Sequence, residues 1–266
     1  MGVPAGLRAS VRRPWPDRLR RAAERTPWFL TLVPLAVGWE AVGRSGRFLF
    51  IPPLSRVADA AVLLAARGEL WRHGLRTLAA VLAGFTLAAL VGTVLGVLMG
   101  RSRWVDAVAG VYVDLFQVTP AAAKVPVLIL LFGLGPESIL ATVVLFSVFV
   151  VTVNVRAGVR AVPPGLVEMA RAFGAGEGVL LRRVVLPAAL PLVLTGLRAG
   201  IGRAVNGAVL GEMLISIVGI GGLLMYYGGA FRMDVLCALI LGIALLATAL
   251  MGAVRAVERR VLRWTL

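Results

Sequence analysis

The residue types that most often carry catalytic chemistry are scarce in this sequence. It contains one histidine, His73, one cysteine, Cys237, and one lysine, Lys124. A single histidine and a single cysteine cannot form the clustered ligand set of a catalytic metal, and one cysteine cannot form an internal disulfide. No G-x-x-x-x-G-K-S/T segment is present, so the chain lacks the loop that binds nucleotide phosphates. We therefore predict a non-catalytic chain with no metal and no cofactor of its own.

Several polar side chains lie within or beside long apolar runs. A charge at the centre of a bilayer costs about 2.5 to 3.5 kcal/mol on insertion scales, so each such residue needs a partner or a polar path. The set consists of Lys124, which lies between Pro120 and Pro126, and of Arg198, Arg203, Asn206 and Glu212. Arg203 and Glu212 are nine residues apart, too far for an i, i+4 pair in one helix. They either pair with residues of other helices or line a path.

Lys124 is open to two interpretations. The flanking prolines are expected to break the helix, and broken helices are tolerated in a membrane where they line protein or a water-filled cavity. In such a cavity Lys124 would attract an anionic solute. Alternatively, the side chain extends to the membrane interface or pairs with Asp114.

The composition explains why these charges stand out. Of 266 residues, 59% are hydrophobic and only 15% are charged, and the mean hydropathy is +0.92. The runs 78–99 and 235–254 contain no charged residue. Each is about the 20 residues that a helix needs to cross a bilayer. The sequence therefore predicts an integral membrane protein rather than a soluble domain with buried helices.

Six apolar segments predict an all-α polytopic membrane protein with six transmembrane helices. They cover residues 28–42, 75–99, 104–132, 139–155, 188–210 and 235–254. The third is interrupted by Pro120 and Pro126. Between the first two lies an amphipathic stretch with Val57, Ala60, Ala61 and Leu64 at helical spacing, which we expect at the membrane interface.

The net charge of +15 does not indicate a nucleic-acid-binding protein, because the basic residues lie beside the apolar runs without a base-stacking aromatic face. Basic residues next to spans mark the cytoplasmic side. With the N-terminus inside, cytoplasmic segments hold 18 of the 28 basic residues and external segments hold seven. We therefore predict that both termini are cytoplasmic, that residues 1–27 form a basic cytoplasmic segment and that 28–266 form the transmembrane domain.

The second predicted span carries a ladder of small residues four apart: Gly84, Ala88, Gly92, Gly96 and Gly100. Such ladders let two membrane helices approach closely. The ladder predicts a packing face, whose partner is either a helix of this chain or a second copy.

The loop 156–187 is too long and too organised for a simple connector. Pro163 and Pro164 suit the first turn of a helix, and Gly174 suits its left-handed end. Between them, Leu166, Met169, Ala170 and Phe173 share one helical face. A second short helix is expected from Glu177 to Val184, before Pro187. The loop thus predicts a rigid helical pair on the cytoplasmic surface.

The spacing in this loop resembles the cytoplasmic signature of binding-protein-dependent ABC importer permeases: E-A-A, three residues, G, nine residues, I, any residue, L-P. Met169 replaces the first alanine and Val184 the isoleucine, and every interval is matched. The resemblance implies that the loop is the coupling helix, which docks in a cleft of the ATPase. The residues implied are Glu168, Met169, Ala170, Arg171, Ala172, Phe173, Gly174, Leu186 and Pro187.

The resemblance extends from about Pro52 to Trp264 and is nearest to permeases for nitrate, sulfonates and taurine. Its stretches include 120–126, 202–204, 211–214 and 219–221. It implies a MetI-like ABC permease fold with its core at about 75–256, in the bacterial inner membrane. The implied partners are ATPase subunits that bind ATP-Mg, a second permease copy as a homodimer, and a periplasmic or lipid-anchored solute-binding protein.

The resemblance and the polar residues together suggest a translocation path or gate for a small anionic solute. The candidate residues are Pro120, Lys124, Pro126, Arg203, Asn206, Glu212 and Gly221. The glycine-rich segment that begins at Gly219 resembles an outer re-entrant segment, where glycines permit either close packing or a hinge. Other solutes, such as a thiamine-related pyrimidine, riboflavin, methionine or a phosphonate, remain alternatives. A channel independent of ATP, or a membrane enzyme, is the alternative from a different class.

Overall fold

The computed structural model describes residues 29–48, 50–215 and 218–262, and every regular element in these ranges is a helix. The helices are α1 (Phe29–Arg44), α2 (Leu54–Ala66), α3 (Glu69–Arg101), α4 (Arg103–Val118), α5 (Ala121–Phe132), α6 (Pro136–Arg160), α7 (Pro164–Ala172), α8 (Glu177–Leu180), α9 (Leu186–Ile215), α10 (Gly219–Gly229) and α11 (Met233–Val261). A π-helical turn, Leu181–Val185, joins α8 to α9. The predicted basic segment 1–27 lies outside the described residues.

The chain divides into two compact units, the first ending at Arg56 and the second beginning at Val57. Within the first, α1 continues through Pro34. The indole Nε1 of Trp39 donates to the carbonyl oxygen of Pro52 at 3.0 Å, and the Glu40 carboxylate accepts from the backbone N–H of Ser55 at 2.9 Å. These bonds tie α1 to the residues that follow it.

The predicted amphipathic stretch between the first two spans is a helix, α2. Its residues Val57, Ala60 and Leu64 are buried, whereas Val62 and Leu63 are exposed. The apolar face predicted from the helical spacing is therefore present.

Within the described ranges, four helical segments are long and apolar enough to cross a membrane, or five if the bent pair α4–α5 is one span. These five correspond to the second through sixth predicted spans. The first predicted span begins at residue 28, outside the described residues, and its described part is the 16-residue helix α1. The helices extend beyond the predicted runs: α3 has 33 residues, or about 50 Å, against a bilayer core of roughly 30 Å. Helix α3 is therefore longer than the hydrocarbon core is thick.

The break predicted in the third span occurs at Pro120 and not at Pro126. Helices α4 and α5 meet at 107° across Thr119 and Pro120. Pro126 lies inside α5, which continues to Phe132, so the prediction of a second interruption is wrong. A proline inside a helix removes one backbone bond, and membrane helices tolerate that loss more readily than soluble ones.

The predicted short helix before Pro187 is not separate from the fifth span. Helix α8 passes through the π-helical turn into α9, and the three form one helical segment, Glu177–Ile215, of 39 residues. The backbone N–H of Leu186 donates to the carbonyl of Leu181, a wider i→i−5 bond. Pro187 has no N–H to donate, and its ring disturbs the preceding turn. We attribute the local π geometry to this proline, since it lets the helix continue.

The core of the second unit is α6, which lies between α3 and α9. The small-residue ladder of α3 meets a valine ladder of α6: Gly84 lies against Val143, Gly92 against Val151, Gly96 against Val155 and Gly100 against Val159. The ladder's partner is thus a helix of the same chain. Helix α9 packs against α6 as well, where Gly196 lies against Asn154 and Gly200 against Val151. The glycines let three backbones pack closely where membrane helices have no hydrophobic drive to associate.

Candidate functional site

Helix α7 presents an apolar stripe to its surroundings. Leu166, Met169 and Phe173 are 39%, 53% and 86% exposed, and they recur at helical spacing on one face. Val167 and Ala170 instead pack against the core cluster of α6, α8 and α9, so the prediction that Ala170 shares the face of Leu166, Met169 and Phe173 is wrong. The helix is therefore anchored on one side and open on the other.

Gly174, which follows α7 and its cap residue Phe173, has the left-handed conformation predicted from the sequence. The φ of Gly174 is +80°, which is unstrained only for glycine. Its N–H donates to the carbonyl of Arg171 at 2.9 Å, and the N–H of Ala175 donates to that of Ala170 at 3.0 Å. These two bonds form a Schellman motif, so the chain reverses in a fixed direction after Phe173.

Glu177 joins α7 to the core, and this ion-pairing role was not predicted from the sequence. Its carboxylate pairs with Arg171 of α7 at 3.0 Å and with Arg101 at the end of α3. Arg171 and Arg101 hold the pKa of this carboxyl below its ordinary value. The available signal was that Glu168 and Glu177 are the only acids in a basic loop. Glu168 itself is exposed, so its side chain belongs to the open surface of α7.

Three further ion pairs join the helices at this end. Asp106 of α4 pairs with Arg156 at 2.6 Å and with Arg160 at 2.5 Å, both on α6. Arg198 of α9 pairs with Glu258 of α11 at 3.0 Å, so the pairing interpretation is confirmed for Arg198. Leu186 and Pro187 lie at the start of α9, behind the π-helical turn.

A cavity of about 210 Å³ brings together three of the predicted path residues, Pro120, Lys124 and Arg203. It opens beside the α4–α5 break, and its wall includes the stacked rings of Phe116 and Phe149, 5.1 Å apart. Its two charged lining residues are both cations.

The Lys124 ammonium is held by Phe116. It donates to the Phe116 carbonyl at 2.6 Å and lies 5.8 Å from that residue's ring centroid. Phe116, rather than Asp114, is its partner. Arg203 is exposed, and among the described side chains it has no ion-pair partner. Two cations beside one cavity without a lining carboxylate make an electropositive recess.

The remaining predicted path residues lie elsewhere. Asn206 is exposed on α9, and Pro126 lies within α5. Glu212 is 2% exposed and accepts hydrogen bonds from the Thr77 hydroxyl at 2.8 Å and the Gly221 N–H at 2.9 Å. For Glu212, the structure therefore shows bonding to α3 and α10.

Comparisons with known proteins agree with this helical arrangement. Residues 92–263 match the family model described as "Binding-protein-dependent transport system inner membrane component". The chain is 35% identical over 237 residues to the riboflavin transport system permease protein RibX of Chloroflexus aurantiacus, covering 88% of each chain. It is 30% identical over 221 residues to the taurine transport system permease protein TauC of Escherichia coli strain K12, covering 81% of this chain and 80% of that one.

A solved structure of the MetNI methionine ABC transporter in inward-facing conformations has a similar fold. The TM-score is 0.63 at 21% identity, and the match covers 75% of this chain and 96% of that one. At this identity the likeness concerns the fold alone.

Proposed function

The chain belongs to the binding-protein-dependent transport system inner membrane components, and from this membership we propose that α7 couples it to the ATPase and that an anionic solute passes Lys124 and Arg203. The family resemblance predicted from the loop 156–187 is confirmed. The chain is the permease subunit of an ATP-binding-cassette importer, a multi-pass inner-membrane protein. Its system includes a solute-binding protein and a separate ATPase, so the permease itself is not the catalytic component.

The open stripe of α7 is the observation that carries the coupling proposal. Leu166, Met169 and Phe173 lie at the end of the helices that also carries the basic loops. Burying apolar surface stabilises a complex by about 25 cal/mol per Å², so this stripe favours a protein partner with an apolar cleft. The Schellman motif at Gly174 and the ion pairs of Glu177 fix α7 to the core. A displacement of α7 would therefore move α3 and α9 as well.

The coupling proposal is tested with the complete transporter. Phe173→Asp should lower recovery of the ATPase with the permease by about tenfold, because a charge replaces a largely exposed ring at the contact. Val179→Asp is the matched control, since Val179 is 47% exposed on the neighbouring helix α8. Equal ATPase recovery with both variants would contradict the assignment of α7.

The electropositive recess carries the proposal about the solute. One relative is a riboflavin permease and another a taurine permease, and their identities to this chain are similar. Lys124 and Arg203, without an acidic neighbour in the recess, favour an oxyanion such as a sulfonate or nitrate over a neutral ring system.

Uptake into proteoliposomes tests the solute class, with taurine, ethanesulfonate, nitrate and riboflavin as probes. Lys124→Met with Arg203→Met should lower anion uptake by about tenfold, since charge-assisted hydrogen bonds are lost. Arg56→Met is the control, because Arg56 is exposed and is not one of the recess residues. Preferred riboflavin uptake that survives the double substitution would refute the anion proposal and favour a flavin permease.

We propose that the chain crosses the membrane six times, with both termini in the cytoplasm. Residues 1–27 form a basic segment and residues 28–266 form the permease domain. Two copies of this domain share one path. The order of the helices supports this topology. Helices α3, α6 and α11 terminate on the side of the basic loops, and helices α4 and α9 start on that side. Single cysteines at positions 46 and 176, in a Cys237→Ala background, should react with an impermeant thiol reagent from opposite sides. Labelling from the same side would contradict this topology.

A further inference from the structure

Three consecutive backbone N–H groups at the start of α10 are capped by side chains of two other helices. Gly219 donates to Nδ1 of His73 at 3.2 Å, and Ile220 donates to the Thr77 hydroxyl at 2.9 Å. Gly221 donates to Oε2 of Glu212 at 2.9 Å. The first N–H groups of a helix have no partner within it, so each would be unsatisfied inside a membrane protein without such a cap. His73 and Thr77 belong to α3 and Glu212 to α9, and we call these three residues the capping cluster.

Glu212 is the centre of the capping cluster. Its side chain is almost fully buried, and its two oxygens both lie within hydrogen-bond distance of the Thr77 hydroxyl, at 2.8 and 2.9 Å. In the described ranges no lysine or arginine forms an ion pair with it. The Gly221 N–H and the positive end of the α10 dipole both lie against this carboxyl group. The position of α10 is thus set by a carboxylate on α9.

The glycines of α10 are needed for this contact. Gly219 has a φ of +89°, and a Cβ there would overlap the Glu212 carboxyl group. A Cβ at Gly221 would overlap the carbonyl oxygen of Val209. Of the two roles left open for the glycine-rich segment, these contacts support close packing and not a hinge.

The capping cluster makes one block of three helices. Helix α10 has 11 residues, about 16 Å, so it is too short to cross the bilayer. It is bonded to α3 through His73 and Thr77 and to α9 through Glu212, while α3 and α9 both pack on α6. The pair α4–α5 is not part of this block: it bends by 107° at Pro120, which also lines the cavity beside Lys124.

We propose that Glu212 is a positioning residue for transport, which locks α10 to α3 and α9 so that they move as one rigid body. The path then opens by displacement of α4–α5 relative to this block, a movement in which the Asp106 ion pairs between α4 and α6 rearrange. The proposal rests on the proposed function only in that the chain takes part in transport. It does not depend on the coupling role of α7 or on the charge of the solute. Its test is accordingly independent of both.

Distances between spin labels test the rigid body in the complete transporter, reconstituted with its ATPase and binding protein. Labels replace Leu75 of α3 and Met225 of α10, which are 63% and 53% exposed, in a Cys237→Ala background. The Leu75–Met225 distance within one copy should be narrow and the same without nucleotide and with ATP and vanadate. The Leu75–Leu130 distance, which reaches α5, should change between these states. A Leu75–Met225 distance that shifts with nucleotide in the otherwise wild-type chain would overturn the proposal.

Substitutions in the capping cluster provide the second test. Thr77→Val and Glu212→Gln should broaden the Leu75–Met225 distribution and lower ATP hydrolysis stimulated by the binding protein by about five- to tenfold. Thr77→Ser keeps the hydroxyl and should restore both. The controls are Thr86→Val, whose hydroxyl donates only to its own helix, and Glu137→Gln, an exposed carboxylate. A narrow distribution and full stimulation in Glu212→Gln and Thr77→Val would overturn the positioning role, as would failure of Thr77→Ser to restore them.

Discussion

Gly96 of α3 lies so close to Val155 of α6 that a Cβ added at position 96 would be 2.7 Å from the Val155 Cβ. The same added atom would be 2.7 Å from the carbonyl oxygen of Thr152. Real Cβ atoms do not approach a backbone this closely, so the two helices would have to separate. The contact lies within a series that runs from Gly84 to Gly100, and a separation at one rung would strain its neighbours.

Gly96→Ala should therefore destabilise the protein by about 1 to 3 kcal/mol, the usual cost of overpacking. The measurement is thermal unfolding of the purified permease in detergent. Gly242→Ala is the matched control, because a Cβ there meets nothing within 4 Å, and alanine is the better helix former. The Gly242 variant should unfold at the same or a higher temperature. An unchanged midpoint for Gly96→Ala would contradict the close contact between α3 and α6.

Gly174→Pro should uncouple ATP hydrolysis from uptake and leave membrane insertion intact. Proline fixes φ near −65° and removes the N–H that Gly174 donates to Arg171, so the Schellman motif cannot form. Glu168→Arg should have a similar effect, because it reverses a charge on the open surface of α7. The readout is the ratio of solute transported to ATP hydrolysed. Gly176→Ala is the control, since an added Cβ there meets nothing within 4 Å. Normal uptake with Gly174→Pro would refute the coupling role.

Glu177→Gln should weaken coupling with little effect on thermal stability. The Glu177 side chain is 62% exposed, and exposed ion pairs contribute little to folding because water and salt screen them. The same pairs nevertheless define how α7 sits against α3. Wild-type coupling should fall as salt is raised, and the variant should show less salt dependence. A large drop in unfolding temperature for Glu177→Gln would instead indicate a structural role.

Asp106→Asn should destabilise the protein by about 1 to 3 kcal/mol, because it leaves Arg156 and Arg160 without their shared carboxylate in a partly buried site. Asp114→Asn is the control on the same helix, since Asp114 is exposed. Thermal unfolding of both variants distinguishes the two positions. Equal midpoints would mean that the Asp106 pairs do not hold α4 to α6.

The features that the sequence predicted correctly are those set by local patterns. The run of apolar residues located α3, α6, α9 and α11, because crossing a bilayer demands length and hydrophobicity in one segment. Gly174 was identified as a left-handed helix end, since that conformation favours glycine. The ladder from Gly84 to Gly100 also predicted a close packing face correctly, because small residues four positions apart lie on one side of a helix.

The features that sequence reasoning missed depend on contacts between distant residues. The capping of Gly219 by His73 joins residues 146 positions apart, and no spacing rule connects them. Glu177 pairs with Arg101 across 76 positions. Two prolines also led to wrong predictions, since helices were expected to end at Pro126 and before Pro187. In both places the helix continues, because the neighbouring turns adjust. Each of these outcomes is decided by tertiary packing.

The uninterrupted helical segment from Glu177 to Ile215 makes the two ends of the molecule mechanically dependent on each other. At 1.5 Å per residue its 39 residues form a rod about 58 Å long, and a tilt of about 5° would move one end by roughly 5 Å relative to the other. Glu177 lies at the first position of this rod and Glu212 near its last. The wider turn at Leu181–Val185 and the prolines at 187 and 191 interrupt the regular backbone hydrogen bonding of this segment. A displacement at Glu177 would therefore reach the capping cluster only to the extent that these turns do not bend.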